Sequence, residues 1–245
     1  MAPQLRKLQI SSTIIYPEPN GIVASIQPIS FPCLRLLEIR DMYLDALEVV
    51  LSAVAPGAYE TTMYNTCKCF YKVSPEEMEW QGPNALTRVI RGTGIHTLMF
   101  ACDKTERHQL KSDALNQLLA AVPSVECLLI HNWTFPELYW TALSGTETLG
   151  SFPKLRRVEI TGSKLFFPED MKALVENHPI EEMVLGGDIH ISQDSHLPQD
   201  DSNTWKPIAQ AHVLVEWLKA KVPKFEVVDS DHEPSHFDLN GWALS

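Results

Sequence analysis

One short phrase, written eight times along 245 residues, constrains this chain more than any other feature. It is a proline or its stand-in, a short spacer, then apolar residues at relative positions 1, 4 and 6. The clear copies carry Leu5, Leu8 and Ile10; Leu34, Leu37 and Ile39; Val125, Leu128 and Ile130; Leu155, Val158 and Ile160; and Ile180, Met183 and Leu185. Ile95, Leu98 and Phe100 fit without the proline. Two degraded copies read Ala58, Thr61, Met63 and Phe225, Val228, Ser230. Successive first positions lie 29, 24, 37, 30, 30, 25 and 45 residues apart. Positions 4 and 6 alternate as a half-buried strand requires, and position 1 turns inward on the approach to it.

The segments between the phrases carry helical spacing. Leu115, Leu118, Leu119 and Val122 precede Pro123 at the same offsets at which Met171, Leu174, Val175 and His178 precede Pro179. That spacing makes one apolar stripe. Pro168 stands where a first helical residue belongs, with Glu169 and Asp170 in the first turn. Leu44 to Val54 and Val215 to Val222 repeat the pattern, and a shorter helix ends at Gly92. Each unit therefore reads strand, turn, helix, proline, strand. Parallel strands need a crossover, and a helix is the usual one. The expected fold is α/β: a solenoid of about 7–8 irregular repeats, with a parallel sheet on the concave face and helices on the convex face. It forms a single domain over residues 1–245, with repeats over about 3–231, insertions at about 66–83 and 188–207, and a polar tail at 232–245. An ordinary open α/β sheet is the competing arrangement.

The phrase, with the helix that ends in apolar-Pro as in AAVPSVECLLI and FPKLRRVEI, resembles the leucine-rich-repeat proteins of the ribonuclease-inhibitor and F-box type. It is most similar to the repeat region of fungal F-box-like proteins. The resemblance implies a non-catalytic protein–protein interaction module that recognises a ubiquitin-ligase substrate. The sequence departs from that family in two ways. The family's turn Asn or Cys stands at position 9, whereas Asn65, Cys102 and Asn132 stand at position 8 with Asp41 beside them. No F-box is recognised, so docking to a ligase adaptor is not carried over.

Charge narrows the partners. Lys and Arg total 20 against 31 Asp and Glu, a formal net charge of -11. Without a basic cluster, such a chain is repelled by nucleic acid and by anionic membrane. No apolar run has the length of a membrane span, and no secretory leader is recognised. Five irregularly spaced cysteines suggest reduced thiols, hence cytoplasm or nucleus. A monomer is expected.

On such strands positions 3, 5 and 7 point to the concave face. The partner-binding candidates are Glu38, Arg40, Tyr64, Met99, Leu129, His131, Arg157 and Glu159, an apolar centre with a charged rim. The competing reading has loops covering this face. Glu38 with Arg40, and Arg157 with Glu159, are expected to form a solvated ladder of modest energy.

No catalytic residue, cofactor or metal is expected. Cys67 and Cys69 are two thiols where a structural zinc needs four ligands. GxSxG, P-loop and GxGxxG motifs are absent, and SGTETLG and RGTG read as turns. His178 reads as a packed, hydrogen-bonded residue. Two alternatives stand beside the binding module. One is a metal-dependent hydrolase using the His and Asp residues of 188–201, a stretch that otherwise reads as an insertion. The other is a divergent repeat fragment without its own partner, in which the tail from Asp229, including His232, His236 and Trp242, caps the last repeat.

Overall fold

The computed structural model describes residues 4–12, 27–74, 76–102, 110–145, 152–190 and 205–234. The chain is α/β, with a mostly parallel sheet and joining helices. It forms two compact units. One comprises Met1–Phe100, Asp113–Cys127 and Thr148–Lys154; the other comprises Ala101–Ser112, Leu128–Glu147 and Leu155–Ser245.

The first unit holds β1 (Lys7–Ser11), β2 (Leu36–Arg40), α1 (Leu44–Ala53), β3 (Glu60–Asn65), β4 (Tyr71–Val73), β5 (Met78–Trp80), α2 (Pro83–Ile90), β6 (Ile95–Ala101) and α3 (Ser112–Ala121), apart from the end residues Ala101 and Ser112. Strands β1, β2, β3 and β6 pair in that order, all parallel. Phrase positions fall in register: Leu8 pairs Leu37, which pairs Thr61, and Ile10 pairs Ile39, which pairs Met63. Leu37, Ile39, Met63 and Leu98 are almost wholly buried. Burial of an aliphatic side chain of this kind contributes ~1.5–3 kcal/mol.

The copy in β6 keeps its expected frame, with Ile95, Leu98 and Phe100 all buried, but it pairs with β3 out of step. Leu98 pairs Met63, not Thr61; a bulge between Thr61 and Thr62 skips His96 and reduces the offset from three residues to two. The His96 ring accepts the Thr61 N–H through Nδ1 (3.3 Å). A shift of two keeps each side chain on its assigned face, so the facing residues stand. The 66–83 insertion is a short 3-10 turn, Cys67–Phe70, followed by the antiparallel hairpin of β4 and β5. Pro83 opens α2, and Gly92 follows its end in the left-handed conformation.

The second unit holds β7 (Cys127–His131), except Cys127, then β8 (Thr134–Phe135), α4 (Glu137–Ser144), β9 (Arg157–Leu165), α5 (Met171–Asn177), β10 (Glu182–His190), β11 (Trp205–Pro207), α6 (His212–Lys221) and β12 (Lys224–Val227). Strands β9 and β10 run beyond the phrase. Their first halves pair in parallel with phrase strands. Their second halves take β8, parallel on β9, and β11, antiparallel on β10.

The last copy was expected in the wrong frame. Phe225 pairs Met183 and Val227 pairs Leu185, so the copy reads Val222, Phe225, Val227. This is a displacement of three from the expected Phe225, Val228, Ser230, and an odd displacement exchanges the two faces. Val222 is 2% exposed, as a first position should be. Helix α4 has no counterpart in the expectation. Pro136 and left-handed Gly145 bracket it, and Trp140 and Leu143 are fully buried on one face. Trp140 stacks on Phe135 (5.0 Å, 17°) and donates its indole N–H to Phe166 O (3.0 Å).

Position 8 explains the departure at the turn. Ser12, Asp41, Asn132, Gly162 and Gly187 all hold this position, with φ of 47°, 51°, 57°, 60° and 138°. The chain leaves β1, β2 and β7 through such a left-handed residue, whereas β9 and β10 run on through Gly162 and Gly187; Asn, Asp and Gly tolerate this conformation best. The position-8 N–H then donates to the position-7 carbonyl of the next copy: Ser12 to Arg40 (3.0 Å), Asp41 to Tyr64 (2.9 Å), Cys102 to His131 (3.2 Å) and Asn132 to Thr161 (3.0 Å). At Gly187 a Cβ would stand 2.1 Å from Ser163 O. We therefore expect Gly187→Ala to lower unfolding free energy by roughly 2–4 kcal/mol through strain and a backbone clash. Urea denaturation measures it, and a loss below ~0.5 kcal/mol would contradict the packing described.

Candidate functional site

In the first unit, strand register arranges the outward positions in rows. Position 3 gives Lys7, Leu36 and Glu60; position 5 gives Gln9, Glu38 and Thr62, a row that Thr97 of β6 joins; position 7 gives Ser11, Arg40 and Tyr64, a row that Met99 joins. Exposure differs sharply along the strands. Lys7 and Glu60 are exposed, whereas Glu38, Arg40, Tyr64 and Met99 are 8%, 6%, 4% and 3% exposed. The Lys7 ammonium reaches Glu38 (3.0 Å), and the Arg40 guanidinium stands 3.9 Å from the same carboxylate. The expected solvated ladder is thus corrected. Glu38 and Arg40 are buried, where pairing offsets desolvation instead of adding to a freely hydrated surface. A period of two assigns a side chain to a face, but it says nothing about what covers that face.

Behind the position-7 row lies a polar knot around Asp41, which is 3% exposed. Its carboxylate accepts from the Ser12 hydroxyl (3.1 Å), the Thr66 hydroxyl (2.5 Å) and the Lys68 ammonium (2.5 Å). Thr66 also accepts from Lys68 N–H and so starts the Cys67–Phe70 turn. The knot ties the insertion to two strand ends, using the residue type that tolerates the left-handed turn. Asn65 extends the pattern by donating its amide to Met99 O (3.3 Å).

In the second unit Leu129, His131 and Glu159 are 4%, 7% and 2% exposed. His131 Nδ1 lies 2.9 Å from Thr161 Oγ1, and Thr161 is fully buried. The Arg157 guanidinium differs: its side chain is 41% exposed, and it reaches Glu159 (3.3 Å) and Glu182 (3.4 Å). Register places Arg157, Glu182 and Lys224 side by side at position 3. Seven of the eight nominated residues are therefore buried, and Arg157 is the one that keeps an accessible head group. The accessible charges that the nomination passed over are Glu60, Glu182, Lys224 and Glu226. The first two stand at position 3 of recognised copies. The last two were hidden by the misplaced frame of the final copy.

The other candidates separate as follows. Cys67 and Cys69 occupy one turn, with Cys69 buried, and all five cysteines carry thiols. Among the described residues, no three His, Cys, Asp or Glu side chains gather as metal ligands. Asp188 accepts from the Ser230 hydroxyl (2.8 Å). The His190 ring packs on Phe166 (5.0 Å) and Trp205 (5.2 Å). The remaining His and Asp residues of 188–201 lie outside the described residues, as do His236 and Trp242. His178 is a clamp: Nδ1 accepts from Leu155 N–H (3.3 Å) and Nε2 donates to Leu143 O (2.9 Å).

Set against family models, curated proteins and solved structures, the chain matches none of them. Its class is accordingly the one its backbone defines, an α/β chain with a mostly parallel sheet. Among the described residues, no helix is long and apolar enough to cross a membrane.

The knot supplies a direct test. Asp41→Ala removes the carboxylate that accepts three hydrogen bonds and should cost roughly 2 kcal/mol. Asp41→Asn keeps the left-handed preference and part of the hydrogen bonding, and should cost about half as much. Thermal unfolding of both variants checks the order; equal losses would assign the effect to the carboxylate and its bonds, and a loss confined to Asp41→Ala would assign it to the turn conformation.

Proposed function

We propose that the chain is a non-catalytic protein-binding module built as a leucine-rich-repeat array, acting in the cytoplasm or nucleus as the substrate-recognition part of an F-box-like ubiquitin-ligase receptor. The array reading draws on the phrase strands, which pair in parallel within each unit, and on the shared position-8 turn. Repeat arrays stack units that cannot bury their apolar faces alone, and they bind partners along the extended surface that results. The ligase reading comes from the resemblance to fungal F-box-like repeat regions.

The observation that carries the binding reading is the accessible charged row at the strand starts. In the second unit it consists of Arg157, Glu182 and Lys224; in the first, Lys7 and Glu60 hold the same phrase position. Contact by Tyr64, Met99 or Leu129 would first require uncovering them. A partner surface of mixed charge with few exposed apolar groups favours specificity and salt-sensitive association.

The matching experiment is cross-linking capture from cell extract with the wild-type chain and with an Arg157→Glu, Lys224→Glu variant. Lys224 is exposed, whereas Arg157 also pairs with the buried Glu159, so circular dichroism checks the fold of the double variant and Lys224→Glu alone gives a second reading. Recovery of the main cross-linked partner should fall at least tenfold. An unchanged partner profile in a folded variant would remove the strand-start row from the interface.

A further inference from the structure

The hairpin of β4 and β5 carries the most exposed apolar surface of the first unit. Met78 is 61% and Trp80 47% exposed, and β5 is exposed along its whole length. Among the described residues β5 pairs in the sheet with β4, and its three residues are exposed, as at a sheet edge. Register puts Tyr71, Val73, Met78 and Trp80 on one face of the hairpin, and Lys72 and Glu79 on the other. Trp80 is held by Phe70 (5.5 Å) and Tyr71 (5.0 Å, edge-on), so its exposed ring is fixed in place. Glu76, Glu77 and Glu79 are all exposed along this edge. The two lysines nearby are already engaged: Lys68 with Asp41, and Lys72 with Glu48 at 3.9 Å.

From this arrangement we infer that the exposed edge of β5 takes an extended segment of another protein in which basic residues alternate with apolar ones. The inference rests on the protein-binding reading above and adds a second contact to it. A strand laid along β5 exchanges backbone hydrogen bonds with it. Its apolar side chains, or an arginine over the ring, lie against Met78 and Trp80. Its basic side chains on the other face meet Glu77 and Glu79 as cross-strand pairs. A second copy of this chain is the poorer occupant. Two β5 edges paired about their centres would set Glu79 against Glu79, a repulsive pair.

The test is fluorescence anisotropy with the full chain and a labelled octapeptide alternating valine and arginine. A peptide alternating valine and glutamate serves as the control. The basic peptide should bind, weaken as salt rises, and bind at least tenfold more weakly to Glu79→Lys; Trp80→Ala should also weaken it. Both positions are exposed, and thermal unfolding verifies that the variants remain folded. Glu77→Lys supplies a second reading if either is impaired. Equal binding of the acidic peptide, unchanged affinity in the lysine variants, or self-association of the wild-type chain that Glu79→Lys abolishes would overturn the inference. A partner lost by Arg157→Glu, Lys224→Glu but kept by Glu79→Lys would sink the hairpin site and leave the module reading intact. The reverse pattern would remove the strand-start row from the interface and support the hairpin as the contact.

Discussion

A single backbone hydrogen bond underlies much of this structure. At four phrase copies the residue after the strand gives its N–H to a carbonyl at the end of the next copy. That bond fixes register where side chains alone would allow a slip. It holds only if the chain turns there, and at Ser12, Asp41 and Asn132 the turn is left-handed. Position 8 accordingly carries Ser, Asp and Asn in these three copies. They bring polar side chains to the strand ends, and Asp41 uses its carboxylate to anchor the inserted turn.

Everything on the outward face follows from this register. Strands aligned position by position line up their side chains in rows, and the rows differ in burial. The strand starts stay open and charged. The strand ends are closed, with Arg40, Tyr64 and Met99 buried in one unit and His131 and Thr161 in the other. Burial converts what would be weak surface pairs into charges whose removal leaves an uncompensated partner. Closed rows serve cohesion and open rows serve contact, so the same strand carries both roles a few residues apart.

The longer strands show how local sequence extends the sheet. Gly187 lets Ser163 approach closer than any side chain would permit, and beyond it β10 continues to His190. The extension gives β11 an edge to pair with, and the extension of β9 does the same for β8. Phe135, Trp140 and Tyr139 fill the space under β8 as an aromatic cluster, one ring stacked and others edge-on.

Apolar periods of two and of 3.6 reflect backbone geometry, so they mark the phrase strands and most helices in the sequence, though not the short strands β4, β5, β8 and β11. The sequence by itself located the strand of every phrase copy and the helices α1, α2, α3, α5 and α6. It missed α4, whose Trp140 and Leu143 lie between Pro136 and Gly145 without the recurring offsets. It also placed the last copy in the wrong frame and did not show the offset at which β6 pairs β3, since weak apolar contrast at β12 and a bulge are resolved only by a paired neighbour. Exposure was decided by tertiary structure alone. Whether Arg40 or Arg157 meets solvent depends on what packs above it, and residues distant along the chain set that.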